Sequence, residues 1–258
     1  MTSLVLVNDI KPGVRELVLN RPDALNAFNQ RLCDDLTEAL HEADRSAHAR
    51  VLVLTGSGRA FSSGTDLTEL AANGDFRKAG GSVHGFEGMV DSIVSLSKPL
   101  ICAVNGPAVG FGATILGLVD LVVMSSEARI RCPFTQLALN PEAGSSVTFP
   151  RLLGRQAASW LFFTSEWMDA GQCHRIGLAW EVVEPDQLLL RASELAETIA
   201  QWDLESLIET KRLLRDGFQS SIIDDARQRE SRAFDRLLGR PAQVLAVEEF
   251  IQARKQNQ

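Results

Sequence analysis

The stretch from Lys98 to Pro150 constrains the fold more than any other part of the chain. It enters through Lys98-Pro99 into Leu100-Ile101-Cys102-Ala103-Val104, an apolar run that stops at Asn105-Gly106-Pro107. A short apolar run bounded by turn residues reads as a buried strand closed by a turn. Ala108-Val109-Gly110-Phe111-Gly112-Ala113-Thr114-Ile115-Leu116 follows, where small residues let the backbone come close to a ligand as a helix begins. The first N–H groups of a helix have no partner within it, and the helix dipole adds partial positive charge there. A strand, a glycine turn and a helix start in this order can therefore stabilise an oxyanion. A second apolar run, Leu121-Val122-Val123-Met124, comes next, and Asn140-Pro141-Glu142-Ala143-Gly144-Ser145-Ser146 then sets one carboxylate among uncharged residues. An anion-stabilising turn with an isolated carboxylate suits the movement of a proton beside a carbonyl.

Upstream, Leu4 to Val7 and Val14 to Leu19 flank Lys11-Pro12-Gly13, a hairpin signal. Leu32, Leu36, Ala39, Leu40 and Ala43 recur at helical spacing and predict a helix from Asn29 to about Arg45. Val51 to Leu54 is another buried strand, ended by Thr55-Gly56-Ser57-Gly58. Strand, helix and strand in this order suggest a repeated ββα-type unit and an α/β fold. After Gly154 a helix is expected over Ala157 to Phe163, and near Pro185 the character of the chain changes. Ala192, Leu195, Ala196 and Ile199 lie on one helical face, and further helices are predicted over Leu204–Phe218, Ile222–Leu238 and Ala242–Lys255. With 258 residues, the chain suits one large domain with a helical appendage, divided as 1–185 and 186–258.

Composition narrows the partners. A net charge of -7 gives no general reason to expect nucleic acid. Cys33, Cys102, Cys132 and Cys173 are scattered, with no CxxC pair, and read as buried reduced thiols rather than metal ligands. No basic-then-apolar leader, no apolar run near the ~20 residues that span a bilayer, and no Ser-Lys-Leu address are visible. The expectation is a soluble cytoplasmic protein with no membrane partner.

Several motifs together carry a family resemblance. Leu19-Asn20-Arg21-Pro22-Asp23-Ala24-Leu25-Asn26-Ala27, Gly58-Arg59-Ala60-Phe61-Ser62-Ser63-Gly64-Thr65-Asp66-Leu67, Lys98-Pro99 through Gly110, and Arg175-Ile176-Gly177-Leu178 with Glu181-Val182-Val183 occur in order over nearly the whole chain. In this the chain resembles the crotonase (enoyl-CoA hydratase/isomerase) superfamily. The resemblance implies a crotonase (ClpP-like) spiral of ββα units with a C-terminal helical oligomerisation region, assembled as a homotrimer or dimer of trimers. It implies an acyl-CoA thioester as substrate, with CoA belonging to that substrate and no metal or other cofactor. By the same resemblance, the backbone N–H groups of Thr65 and Phe111 form an oxyanion hole, given conformational freedom by Gly64 and Gly110. The CoA ester would be contacted by Ala24, Leu25, Ala60, Ser62, Ser63, Gly64, Asp66, Leu67 and Gly110. Ala71 to Val83, rich in glycine, is expected to be a mobile loop, either a wall of the acyl pocket or a surface connection.

The resemblance also separates branches. The two glutamates of the hydratases fall at Thr114 and Phe134, and neither side chain changes protonation state near neutral pH. That departure argues against hydration. The segment from Pro133-Phe134-Thr135 through Pro141-Glu142-Ala143-Gly144 to Phe149-Pro150 is similar instead to the peroxisomal-type Δ3,Δ2-enoyl-CoA isomerases, where the glutamate after proline is the base. Glu142 is therefore the expected catalytic residue. The competing reading is an acid at the start of a helix near Ser145, where negative charge is favoured, on a non-catalytic acyl-CoA-binding module. A third is a crotonase enzyme acting on an unusual acyl group, with Glu142 still the base. Asp66, three residues before Glu69, reads as an N-cap and Asp120 as structural, while His41, His48, His84 and His174 match no catalytic position. Arg254 and Lys255 either reach the ADP-phosphate of CoA or form a solvated tail.

Overall fold

The computed structural model of the chain describes residues 3–69, 82–216 and 220–256, with side chains throughout except at 216, 220 and 254–256. Most of the loop predicted over Ala71–Val83, and the side chains of Arg254 and Lys255, lie outside the described residues.

A hairpin opens the fold: β1 (Val5–Lys11) pairs antiparallel with β2 (Val14–Leu19) around the turn marked by Pro12 and Gly13. Helix α1 (Gln30–Arg45) carries the chain back to β3 (Val51–Gly56), which lies parallel to β2. Helix α2 (Gly85–Ser95) then leads to β4 (Leu100–Val104), parallel to β3. Short β5 (Ala108–Val109) and α3 (Phe111–Thr114) precede β6 (Leu121–Ser125), parallel to β4. Strands β7 (Arg129–Arg131) and β8 (Met168–Asp169) join β5 in a second, smaller sheet. Between them lie α4 (Ser145–Leu153) and α5 (Arg155–Thr164). Helix α6 (Ala170–Arg175) and β9 (Glu181–Val183) complete the large sheet, whose order is β1-β2-β3-β4-β6-β9. Four helices follow: α7 (Leu188–Ala200), α8 (Leu204–Asp216), α9 (Ser220–Leu237) and α10 (Pro241–Gln256).

Both faces of the sheet are covered, which is why β3 and β4 read as unbroken apolar runs rather than alternating ones. Leu52, Leu54, Leu100, Cys102 and Val104 face the main core with Leu32, Leu36 and Leu40 of α1. Their neighbours Val51, Val53, Ile101 and Ala103 face the other way, onto Leu188, Ala192, Ala196 and Ala200 of α7. The first helix after 185 is therefore a layer of the same sheet, and each large side chain it buries there is worth about 1.5–3 kcal/mol.

Lys98-Pro99 has a structural reason. The buried Lys98 ammonium donates to the carbonyls of Ala43 (2.7 Å) and Ser46 (2.5 Å), at the C-terminal end of α1, where positive charge is favoured. Asp120 accepts from the Leu100 N–H and from Lys211 Nζ, both at 2.7 Å, and Lys211 Nζ also donates to the Lys98 carbonyl. Asp120 is thus the structural acid the sequence suggests, tying β4 to α8. All four cysteines are buried and free, and burial pushes the Cys173 thiol up to about 12. No helix among the described residues is long and apolar enough to cross a membrane.

Candidate active site

The two glycine turns singled out in the sequence meet in space. Ser62 bridges Ala108, and the Val109 N–H donates to the Ser62 carbonyl at 2.9 Å, so the 60–66 segment lies along β5. Gly64 has φ +84°, and a Cβ there would sit 2.5 Å from the Val109 carbonyl oxygen and 3.4 Å from the Phe111 nitrogen. Any side chain would therefore drive the turns apart as well as strain the backbone. Gly110, at φ +56°, enters α3 and its Cβ position is 3.9 Å from the Gly64 Cα.

This juncture aims two amides outward. Phe28 brackets Thr65: its N–H donates to the Gly64 carbonyl (2.8 Å), and its carbonyl accepts from the Asp66 N–H (2.9 Å). In a parallel bridge the residue between those two bonds turns its own N–H to the opposite side. Phe111 opens α3, so its N–H has no acceptor within the helix. Among the described residues neither the Thr65 nor the Phe111 N–H has a hydrogen-bond partner. The Phe111 ring points away into the core, edge-on to Phe28 and Phe86 with both centroids at 4.9 Å. The side chain anchors the turn and leaves the amide free.

The wall behind Thr65 is held by Asn26 and Arg21, to which the sequence alone assigns no role, together with Ser62, Ser63 and Asp66. Fully buried Asn26, at φ +54°, donates through Nδ2 to Ser57 and Ala60 carbonyls (both 2.9 Å) and accepts from the Arg21 N–H through Oδ1 (2.9 Å). Ser62 Oγ donates to the Asn26 carbonyl, while the Ser63 N–H and Oγ donate to the carbonyls of Leu25 and Ala24. Asp66 accepts from the Thr68 N–H (3.0 Å), the cap its spacing implies, and from Arg21 Nη1 (2.7 Å). Burial opposes charge on Asp66, but the Arg21 guanidinium and the Thr68 and Glu69 amides outweigh it and hold the carboxyl below the usual carboxylate range.

Thr65, Gly64 and Gly110 line a cleft of about 530 Å³, open mouth included, with Leu67, Phe134, Leu139, Phe234 and Glu142. Among the described residues lining this cleft, Glu142 is the one ionisable side chain. Of the two positions that the family resemblance matches to the hydratases' glutamates, Phe134 lines the wall as an apolar ring and Thr114 is fully buried in α3. Thus the expected base shares one cavity with Thr65 and with Gly110, the residue before Phe111. The reading of Glu142 as a helix-start acid has a rival occupant: the amides of Gly144 and Ser146 at the start of α4 donate to Glu230, at 2.7 and 2.9 Å.

A second cavity continues outward through Ser63, Val109 and Phe250, which line both. Leu25 and Ala60 line it together with Arg59, Arg129, Arg131 and Trp167. Arg129 lies over the Trp167 ring, 4.2 Å from its centroid. Arg131 donates to the Ser165 carbonyl and to Gln136. The alternation Arg129-Ile130-Arg131 is the signal that could have revealed this patch, since a strand puts both arginines on one side. Ser62 and Asp66 support the wall from behind, and Ala24 lends its carbonyl to Ser63. His84 lies elsewhere, paired with Glu38 at 2.7 Å. No cluster of metal-ligating side chains occurs among the described residues.

The Enoyl-CoA hydratase/isomerase family model matches residues 9–256. The chain belongs to that family. It is 34% identical over 240 residues to a 1,2-epoxyphenylacetyl-CoA isomerase of Escherichia coli, covering 92% of this chain and 91% of that protein. It is 35% identical over 180 residues to human enoyl-CoA delta isomerase 2, covering 69% of this chain and 45% of that protein. The crystal structure of an enoyl-CoA hydratase from Mycobacterium marinum superposes with a TM-score of 0.77 at 46% identity, covering 82% of this chain and 98% of that one. The crotonase fold and an enzyme of the enoyl-CoA hydratase/isomerase family stand on these matches together with the mixed sheet.

Proposed function

We propose that this enzyme is a Δ3,Δ2-enoyl-CoA isomerase, converting 3-enoyl-CoA thioesters into trans-2-enoyl-CoA. The observation that carries this reading is one carboxylate, Glu142, in a cleft lined also by Thr65 and Gly110, where the Thr65 and Phe111 amides have no partner among the described residues. A phenylalanine and a buried threonine stand at the positions that the resemblance matches to the hydratases' acids. Hydration needs a water held, deprotonated and its proton delivered by separate groups. Transposing a double bond needs one group that takes a proton and returns it.

In this mechanism Glu142 takes a proton from C2, which the thioester acidifies. The electron pair spreads over C2, C3, C4 and the carbonyl, and the dienolate oxygen receives the Thr65 and Phe111 N–H groups. Such preorganised donors are worth ~3–4 kcal/mol each where charge develops. Protonated Glu142 then returns the proton at C4. No electrons leave the substrate, so we propose no cofactor beyond the CoA it carries. The arginines at Arg59, Arg129 and Arg131 suit the phosphates of CoA, with its pantetheine arm running inward past Ser63. We also propose a homotrimer or dimer of trimers, for which exposed Leu213 and Leu214 of α8 offer apolar surface.

The test is turnover of 3-enoyl-CoA thioesters of several lengths, followed by absorbance of the conjugated product. Formation of 2-enoyl-CoA without accumulation of 3-hydroxyacyl-CoA supports the reading. Robust hydration of 2-enoyl-CoA contradicts it, and tight binding without turnover of any thioester identifies a binding module.

A further inference from the structure

The base in this reading sits on a turn closed by the Ser145 N–H and Oγ, which donate to the Glu142 carbonyl at 3.0 and 2.6 Å, and gripped from outside as well. Ala143 and Gly144 both adopt left-handed backbone, at φ +57° and +75°. That conformation is costly for alanine and persists only where surrounding contacts determine it. The contacts come from α9. Glu230 Oε2 accepts from the Gly144 N–H at 2.7 Å, and its Oε1 accepts from the Ser146 N–H at 2.9 Å. On the other side of Glu142, Asn140 Nδ2 donates to the Glu230 main-chain carbonyl at 3.1 Å and to the Pro141 carbonyl at 2.7 Å. One residue thus grips the chain both before and after Glu142. Helix α9 also lies against the turn itself: a Cβ on Gly144 would meet Ile223 Cγ2 at 2.9 Å.

We infer that Glu230 is a positioning residue for the reaction, its carboxylate setting the turn that presents Glu142 to the substrate. The inference rests on the reading of Glu142 as the base. Glu230 and Glu142 line one cavity, whose wall also includes Asn140, Phe86, Phe234, Glu87 and Arg227. Glu230 is 7% exposed, and burial raises its carboxyl above the ordinary range even though the Ser146 and Gly144 bonds and the Arg227 guanidinium favour the charge. Holding a buried acid is costly and is weak evidence for stability alone. Here both oxygens are occupied by amides that define one turn. Arg227, one helical turn earlier, is bound to Glu87 and Asp91 of α2 and keeps a counter-charge beside it.

The test is Glu230→Gln, whose amide nitrogen cannot accept from an N–H, made in the parent and in a Glu142→Gln background. A displaced catalytic group costs on the order of 10²-fold, so kcat in the parent background should fall by about that factor. KM and the affinity for an inert thioether analogue of acyl-CoA should stay near parental. In the Glu142→Gln background the second substitution should change the residual rate little, because no carboxylate base is left to misplace. A parental kcat for Glu230→Gln overturns the inference, as does an equal loss in both backgrounds or a loss carried by KM. If Glu230→Gln does not fold, Glu230→Asp, shorter by one methylene and still charged, carries the same comparison with an intermediate loss. A near-parental Glu142→Gln single variant is a separate result: it removes the base reading itself, and the inference with it.

Discussion

The two halves of the proposed site are built by opposite means. The oxyanion half comes from backbone amides on two glycine turns, braced by Asn26, Arg21 and Phe28. Most of its bracing lies within the first 66 residues, with β5 alongside. The base half is a side chain on a turn whose bracing residue, Glu230, stands 84 to 90 residues later on another helix. The first half draws its donors from the main chain, and the side chains of Asn26, Ser62 and Asp66 brace it. The second needs a long-range contact, because a carboxylate has rotamers and a left-handed turn has alternatives.

If the donors really are main chain, removing an N–H must cost far more than removing a side chain. Thr65→Pro should lower kcat by about 10²–10³-fold, as measured in steady state on 3-enoyl-CoA, with the fold intact by circular dichroism. Full activity in a folded proline variant would place the Thr65 amide outside the site. The next effect concerns bracing. The Arg21 guanidinium and the Thr68 and Glu69 amides hold the Asp66 carboxyl below the usual carboxylate range, so it stabilises the fold above that range, and this contribution is lost as pH falls through the folded value. Asp66→Asn should therefore cost about 1–3 kcal/mol at pH 7, read from urea unfolding. The gap to the parent should narrow progressively as pH falls below ~3.9, and a gap that stays constant through that fall would mean the Arg21 pair is not its source. The smallest effect is Thr65→Ala. Thr65 Oγ1 is buried with no partner, so losing it should leave activity and melting temperature nearly parental.

The same asymmetry governs what could be read from the chain before folding it. Gly64, Gly110 and the strands at Val51 and Leu100 were legible because positive φ and double-sided burial leave local marks. Glu142 stands out in the sequence as one acid among uncharged residues and by resemblance to the isomerases, and the structure puts it in the cleft with Thr65. Asn26 was hidden, since a buried asparagine holding three main-chain groups looks like any loop asparagine. Glu230 was hidden more deeply: α9 is rich in charges, and nothing local marks which of them turns inward. Helix α7 looked like part of a separate helical region because its apolar face has no partner nearby in sequence. That partner is the face of β3 and β4 opposite the main core.

The central claim is that one carboxylate moves the proton, and Glu142→Gln tests it most directly. Glutamine keeps the shape and hydrogen-bonding capacity of the side chain but cannot take a proton from C2. With 3-enoyl-CoA as substrate, the account predicts a kcat lower by at least ~10⁴-fold, the top of the range for general acid–base catalysis, since one residue serves both transfers. Affinity for the CoA ester should be almost unchanged. A folded Glu142→Gln enzyme that isomerises within about tenfold of the parent would contradict the mechanism, leaving only the fold and the CoA-ester cavity in place.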